Sequence, residues 1–256
     1  MKSNTTFKKY EIKGSDYHFK QIDKKNRFTF NSFVYARYQI ELKLISHILK
    51  NRKSKFTKIL DIGCGDGVIL FLLYHKFKSY NLEIHGIDSS NIALEVAKKR
   101  LSNGFFRNTD LYNLPYEDDY FDLILSSDVI EHVSNPEKML QEIKRVGKNA
   151  SNVIIGTPIR FSELPLDENH YHEFYPNEFK DFLKNFLKNV RLLQSHKLTY
   201  YLLYEKVSLI FKKEIQIYRY LINLLSIYLN INPFMKIKRN DKDLYSYMFA
   251  IGLIKK

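Results

Sequence analysis

Two stretches of the 256-residue sequence gather side chains able to move a proton or hold a cation. Asp128-Val129-Ile130-Glu131-His132 spaces two carboxylates and an imidazole so that they share one face of a helix. Such a set can bind a divalent cation, or it can simply position the loop that carries it. Asp167-Glu168-Asn169-His170-Tyr171-His172-Glu173-Phe174-Tyr175-Pro176 sets two more imidazoles among carboxylates. A histidine within reach of a hydroxyl can take its proton as a general base. A helix-entry loop with surface histidines is the plainer reading of the same residues. No metal ligand set is assigned.

A third feature concerns the backbone. Leu60-Asp61-Ile62-Gly63-Cys64-Gly65-Asp66-Gly67 ends an apolar run in three alternating glycines. Glycines there let the chain turn tightly and approach a ligand closely. Position 68 is valine, so the spacing departs from the G-x-G-x-x-G dinucleotide pattern. Asp88 closes the next apolar run, 21 residues after Gly67. A carboxylate in that position can accept hydrogen bonds from ribose hydroxyls. The alternative is a tight turn followed by a helix-capping Asp88.

These groups need elements to carry them. Residues 58–62, 83–88, 105–106, 121–126 and 153–156 read as short buried strands. Between them lie helical patterns: 68–77, a helix capped by Ser89/Ser90 and running to Leu101, and one opened by Asn135-Pro136 with Met139, Leu140, Ile143 and Val146 on one face. The alternation predicts a doubly wound α/β sheet with ligands at the carboxyl ends of its strands. Residues 28–49, 176–190 and 200–229 read as helical, the last as one long stretch, and 245–254 as a closing strand. The expected organisation is an N-terminal helical lid or substrate segment (1–57), an α/β core (58–199), a helical cap (200–243) and a closing strand of the core (244–256).

The motifs together resemble the class I S-adenosylmethionine-dependent methyltransferases. DIGCGDG is similar to that family's glycine loop, and Asp88 in GIDSS to its ribose-binding acid. NTDLYNLP resembles the segment after the third strand, where an Asp side chain and the next backbone N–H hold the adenine. PYEDDYFDLILSSDVIEHV resembles the fourth strand and the loop under the methionine part of the cofactor. The likeness covers residues 58–158. It implies a Rossmann-like, mostly parallel seven-stranded sheet whose last strand is antiparallel. It also implies S-adenosylmethionine as cofactor, leaving as S-adenosylhomocysteine, with contacts from Asp61, Gly63, Gly65, Gly67, Asp88, Ser89, Asp110, Leu111 and Ser127. Asp61, Asp66 and the acidic middle of the chain suit a cationic sulfonium. The loop around His170 resembles H-x-x-E-[FY]-[ST]-P-x-E-[FL] of small-molecule and glycan methyltransferases, with Tyr175 where Ser or Thr is usual and His172 where Arg is frequent. His170 is therefore the first candidate base, His172 the second, and His132 a further one. The Glu131-His132 pair is similar to metal-binding pairs in ubiquinone-biosynthesis and small-RNA 3′-end methyltransferases, and also to pairs in metal-free relatives. Residues 28–38 resemble an aromatic-plus-arginine helix of surface-polysaccharide methyltransferases and are a candidate lid.

Composition narrows the partners. The net charge of +13 is unevenly spread. Residues 1–58 hold 15 basic and 4 acidic side chains, 59–183 hold 12 and 20, and 184–256 hold 14 and 4. An acidic core between basic flanks points to an anionic acceptor or surface. A hydrophobic fraction of 45% argues against disorder, and a single cysteine against a disulfide-built module. The basic N-terminus lacks an apolar run, and the longest uncharged stretch, 220–235, is short for a membrane span. A cytoplasmic enzyme is expected, with peripheral membrane contact left open. The leading expectation is O-methylation of a small-molecule or glycan-precursor acceptor bearing phosphate. An RNA methyltransferase, a ubiquinone-type or natural-product O-methyltransferase, and a non-enzymatic scaffold are the alternatives.

Overall fold

The computed structural model describes residues 9–52, 54, 56–162, 167–210, 213–237 and 243–256. Two short helices open it, α1 (Lys9–Lys13) and α2 (Tyr17–Ile22), followed by the long α3 (Ser32–Lys50). The chain then alternates: β1 (Phe56–Ile62), α4 (Val68–Lys76), β2 (Asn81–Ile87), α5 (Asn91–Arg100), β3 (Phe105–Arg107), β4 (Phe121–Ser127), α6 (Pro136–Val146), β5 (Gly147–Pro158), α7 (Pro176–Lys184) and β6 (Leu187–Lys197). The cap follows as α8 (Leu198–Glu205), a β7 (Ser208–Ile210) and β8 (Lys213–Ile215) hairpin, and α9 (Ile217–Tyr228), before β9 (Tyr245–Ile254).

One seven-stranded sheet has the order β3-β2-β1-β4-β5-β9-β6. Strands β1 to β5 pair in parallel, and β9 runs antiparallel to both β5 and β6. This is the mostly parallel sheet with a reversed strand expected from the sequence. Ile62 of β1 is level with Ile87 of β2 and Ser126 of β4. The loops that carry Gly63, Asp88 and Asp128 therefore leave the sheet at one edge. Two apolar cores hold the sheet from either face. One packs α6 and α7 through Met139, Leu140, Ile143 and Phe179, the other α3, α4 and α5 through Ile45, Leu70 and Leu94. Asn135 caps α6 as its spacing predicts, its Oδ1 accepting from Lys138 N at 2.8 Å.

Two flanking expectations change. The helix expected over 176–190 stops at Lys184, and Leu187 starts β6 opposite Ile254. Phe186 and Leu187 continue the apolar spacing of the helix, but main-chain pairing with the edge of β9 takes them into the sheet. The single helical stretch expected over 200–229 is broken by the β7–β8 hairpin. Val207, Leu209, Ile215 and Ile217 lie at alternating positions there, a strand period inside a helical one. Residues 211–212 and 238–242 of the expected cap, and 1–8, 53 and 55 of the expected N-terminal segment, lie outside the described residues.

Candidate functional site

A cavity of about 520 Å³ opens at the carboxyl ends of β1, β2 and β4, within the range of small-molecule sites. The glycine loop forms one wall. Gly63 and Gly65 take φ values of 73° and 55°, in the left-handed region. A β-carbon on Gly63 would collide with Val129, and one on Gly65 with the Tyr10 hydroxyl. The turn is held from behind, since Gly63 N and Cys64 N both donate to the Ile87 carbonyl, at 2.8 and 2.9 Å. Gly67 turns into α4 away from the cavity, where a side chain would meet Ala97; neither it nor Gly65 is among the lining residues.

Asp88 faces the cavity. Its Oδ2 accepts from Gly65 N and its Oδ1 from Ser90 N, both at 2.8 Å. Each oxygen keeps acceptor capacity for a hydroxyl. Burial raises its pKa, and the two N–H groups oppose the rise. Asp61 lies deeper. Burial, with the charges of Glu41 and Asp88 nearby, pushes its carboxyl well above the usual range. Glu41 of α3, pushed by burial to about 7, accepts from Ser127 Oγ at 3.0 Å. A cavity floored by two such acids favours a cationic ligand, which would let them ionise. Donor set, size and backbone approach together fit the cofactor that the sequence resemblance implies.

Asp66 does a different job from the one expected. Its Oδ2 accepts from His18 N at 2.8 Å and Phe19 N at 3.3 Å, and His18 Nδ1 lies 3.3 Å from its Oδ1. It anchors α2 over the glycine loop, and Tyr10 of α1 is joined to His18 through its hydroxyl, 3.1 Å from Nδ1. Lys9, Tyr10 and His18 consequently line the cavity. The lid expected over 28–38 contributes only Tyr38 to the lining, and the roof comes from α1 and α2 instead. No motif marks Lys9, Tyr10 or His18 in the sequence; Asp66, an acid inside the glycine loop, turns its side chain to α2, a contact that spacing does not encode.

Ser89, Leu111 and Ser127 line the cavity, joined by Thr109 and Tyr112. Asp110 is exposed and outside the lining, its Oδ1 accepting from Tyr112 N at 2.9 Å in an Asx turn. Asp128 leaves the helical face expected for it. It takes φ 57° and pairs with Arg37 at 2.5 Å, while Glu131 and His132 sit in a 3-10 turn over Ile130–His132.

The three candidate histidines separate. His132 lines the cavity. Its Nδ1 lies 3.1 Å from the Asn169 carbonyl, which fixes the proton there and leaves Nε2 with the lone pair. Burial lowers its pKa, favouring the neutral ring. His170 stands edge-on behind it, ring centroids 4.8 Å apart, with Nδ1 2.6 Å from Glu173 Oε1. His172 stacks on Phe174, outside the lining. The two sequence clusters are tied together because the Glu131 carbonyl accepts from Tyr171 N at 2.7 Å and His172 N at 3.2 Å. Glu131, His132 and His170 bring one ligand atom each to within 4.8 Å of one another. Among the described residues that set, rather than Asp128-Glu131-His132, is the one placed to hold a cation. Glu131 is pushed to about 8 by burial and the Asp128 charge.

A methyltransferase-domain family model matches residues 53–215. Demethylmenaquinone methyltransferase of Thermotoga maritima is 40% identical over 98 residues, 38% of this chain and 42% of that one. Ubiquinone biosynthesis O-methyltransferase of Bartonella tribocorum is 32% identical over 146 residues, 49% of this chain and 58% of the other. The chain spans about two fifths of the length of the first of these relatives. Among solved structures, a possible histamine N-methyltransferase from Thermotoga maritima shares the fold with a TM-score of 0.55 at 20% identity, over 86% of this chain and 89% of that one. Phosphoethanolamine N-methyltransferase 2 of Haemonchus contortus, in complex with S-adenosyl-L-methionine, gives 0.55 at 16% identity over 84% and 52%.

Proposed function

The chain belongs to the class I S-adenosylmethionine-dependent methyltransferases, and on that premise we propose that it methylates a hydroxyl of a phosphate-bearing small molecule or glycan precursor. The observation that carries this reading is a neutral His132 in the wall of the cavity that also holds Asp61 and Asp88. Asp88 would hold the ribose hydroxyls, Asp61 the cationic end, and Thr109 and Leu111 the base. When bound, the cofactor supplies a methyl group on a cationic sulfur, so positioning and alignment carry most of the catalysis. His132 Nε2 accepts the acceptor's hydroxyl proton. Its Nδ1–H stays on the Asn169 carbonyl throughout, and His170, held by Glu173, keeps the ring from turning. Lys9 in the same wall, lowered by burial to about 8, still carries its charge at neutral pH and would sit against an anionic acceptor.

Quinone-type ring acceptors are the competing class, because one relative is named for demethylmenaquinone and another as a ubiquinone-biosynthesis O-methyltransferase, each matching half of this chain or less. The test is transfer of a labelled methyl group to sugar phosphates and sugar nucleotides, to catechol-type quinone precursors, and to RNA. Turnover on the first group is expected. His132→Ala should lower kcat about 10²–10⁴-fold with cofactor affinity in calorimetry unchanged. Transfer to catechols or RNA alone would replace the acceptor, and full turnover by His132→Ala would remove the base.

A further inference from the structure

Helix α9 is built inside out. At a 3.6-residue period, Tyr218, Leu221, Leu225 and Tyr228 share one face, while Asn223 and Ser226 lie on the other. The polar face is the buried one: Asn223 is 6% and Ser226 1% exposed, against 48% for Leu221, 40% for Leu225 and 68% for Tyr228. Hydrogen bonds fix this orientation. Asn223 Nδ2 donates to the Phe30 carbonyl at 2.7 Å, and its Oδ1 accepts from Ser32 N at 3.0 Å and the Tyr204 hydroxyl at 2.8 Å. Ser32 Oγ donates to Ser226 Oγ at 2.8 Å. Rolling the helix to hide its leucines would strip these buried groups of partners, so the apolar face is locked outward.

Charge says what covers it. Among the described side chains near it in sequence, Arg219 of α9 pairs with Glu205 at 3.8 Å, Lys206 follows that acid, and Lys236 follows the helix. Lys24, Lys25 and Arg27, with one acid, Asp23, share a loop with Phe28, which is 81% exposed, and with Tyr228 of α9 they line one surface hollow; Lys24 Nζ donates to Asn230 Oδ1 at 3.1 Å, joining this loop to the end of α9. An apolar strip among lysines and arginines matches the interface of an anionic bilayer: leucine and tyrosine side chains enter the acyl boundary while the cations meet the headgroup phosphates. A second copy of the chain would set cations against cations. We propose that the outer face of α9, together with Phe28, docks on an anionic lipid surface, with the helix lying in the plane of the interface. Among the described residues no helix is long and apolar enough to cross a membrane, so the contact is peripheral.

The experiment is sedimentation of the full chain with vesicles of phosphatidylcholine alone and of phosphatidylcholine mixed with phosphatidylglycerol. Binding to the mixed vesicles, weakening as salt is raised, is expected. Leu221→Gln/Leu225→Gln should weaken it about tenfold or more, with the circular dichroism spectrum and Tm unchanged. Three results overturn the proposal. One is no binding to the mixed vesicles. Another is binding that the double variant leaves intact. The third is a dimer in sedimentation velocity that the double variant dissociates, without vesicle binding by the parent chain.

Discussion

In α6, every residue of the apolar face is enclosed: Met139, Leu140 and Ile143 are fully buried under the sheet, and the charged face looks to solvent. In α9 a comparable division runs the other way, with Leu221 and Leu225 outside and Asn223 and Ser226 inside. The two helices differ in what lies beneath them. Under α6 is a sheet face of Leu60, Phe121 and Ile124, which rewards apolar burial. Under α9 is the start of α3, whose first N–H groups and the nearby Phe30 carbonyl need partners. An amphipathic period shows that a helix has two faces; the neighbour decides which one is turned in.

The same substitution in the two helices tests this most strongly. Leu140→Ala opens a void in a closed core and should cost about 2–5 kcal/mol. Leu225→Ala removes an outward side chain and should stay within about 0.5 kcal/mol. Denaturant midpoints of both variants check the pair, and equal losses would mean that α9 packs its leucines inward. The second test sets the non-titrating interior of the cap against the acidic floor of the cavity. Glu41 titrates near its ordinary 4.5 in the unfolded chain and about 7 when folded, so the folded state binds the additional proton between those values. Its stabilising contribution is present below pH 4.5 and lost as pH rises through 7, by up to about 3 kcal/mol. Glu41→Gln should therefore flatten the fall of Tm between pH 5 and 8, whereas a cap variant such as Leu225→Ala should leave that slope alone. An unchanged slope in Glu41→Gln would show that the side chain titrates normally.

The parallel half of the molecule was largely legible because its chemistry demands fixed residue types at fixed places. Gly63 and Gly65 must take positive φ, Asp88 must end β2, and Asn135-Pro136 must open α6. The histidine loop was legible as a site but not in its order. His170 stands out in the sequence, yet His132 reaches the cavity, because Asn169 and Glu173 orient the two rings through contacts that no spacing encodes. Asp110 matches its motif by type, and an Asx turn to Tyr112 uses the side chain locally. The roof of Lys9, Tyr10 and His18 depends on Asp66, a long-range partner with no sequence signature. In the cap only the apolar period is visible in the sequence, and it carries neither the hairpin nor the reversal of α9.

The smallest effect concerns the reversal itself. Asn223→Leu keeps the side-chain size close to the original and makes α9 apolar on both faces. If burial of apolar area decided the orientation of this helix, the variant would be as stable as the parent or more so. In the arrangement described here it leaves the Phe30 carbonyl without its donor and takes one acceptor from Ser32 N, although Tyr204 Oη still faces that N–H at 3.1 Å. A loss of about 1–3 kcal/mol is expected from the orphaned groups, read as a lower denaturant midpoint at unchanged slope. Asn223→Asp separates the two atoms involved: it keeps an oxygen for Ser32 N and Tyr204 but cannot donate to Phe30, and so shows whether the donor or the acceptor holds the helix inside out.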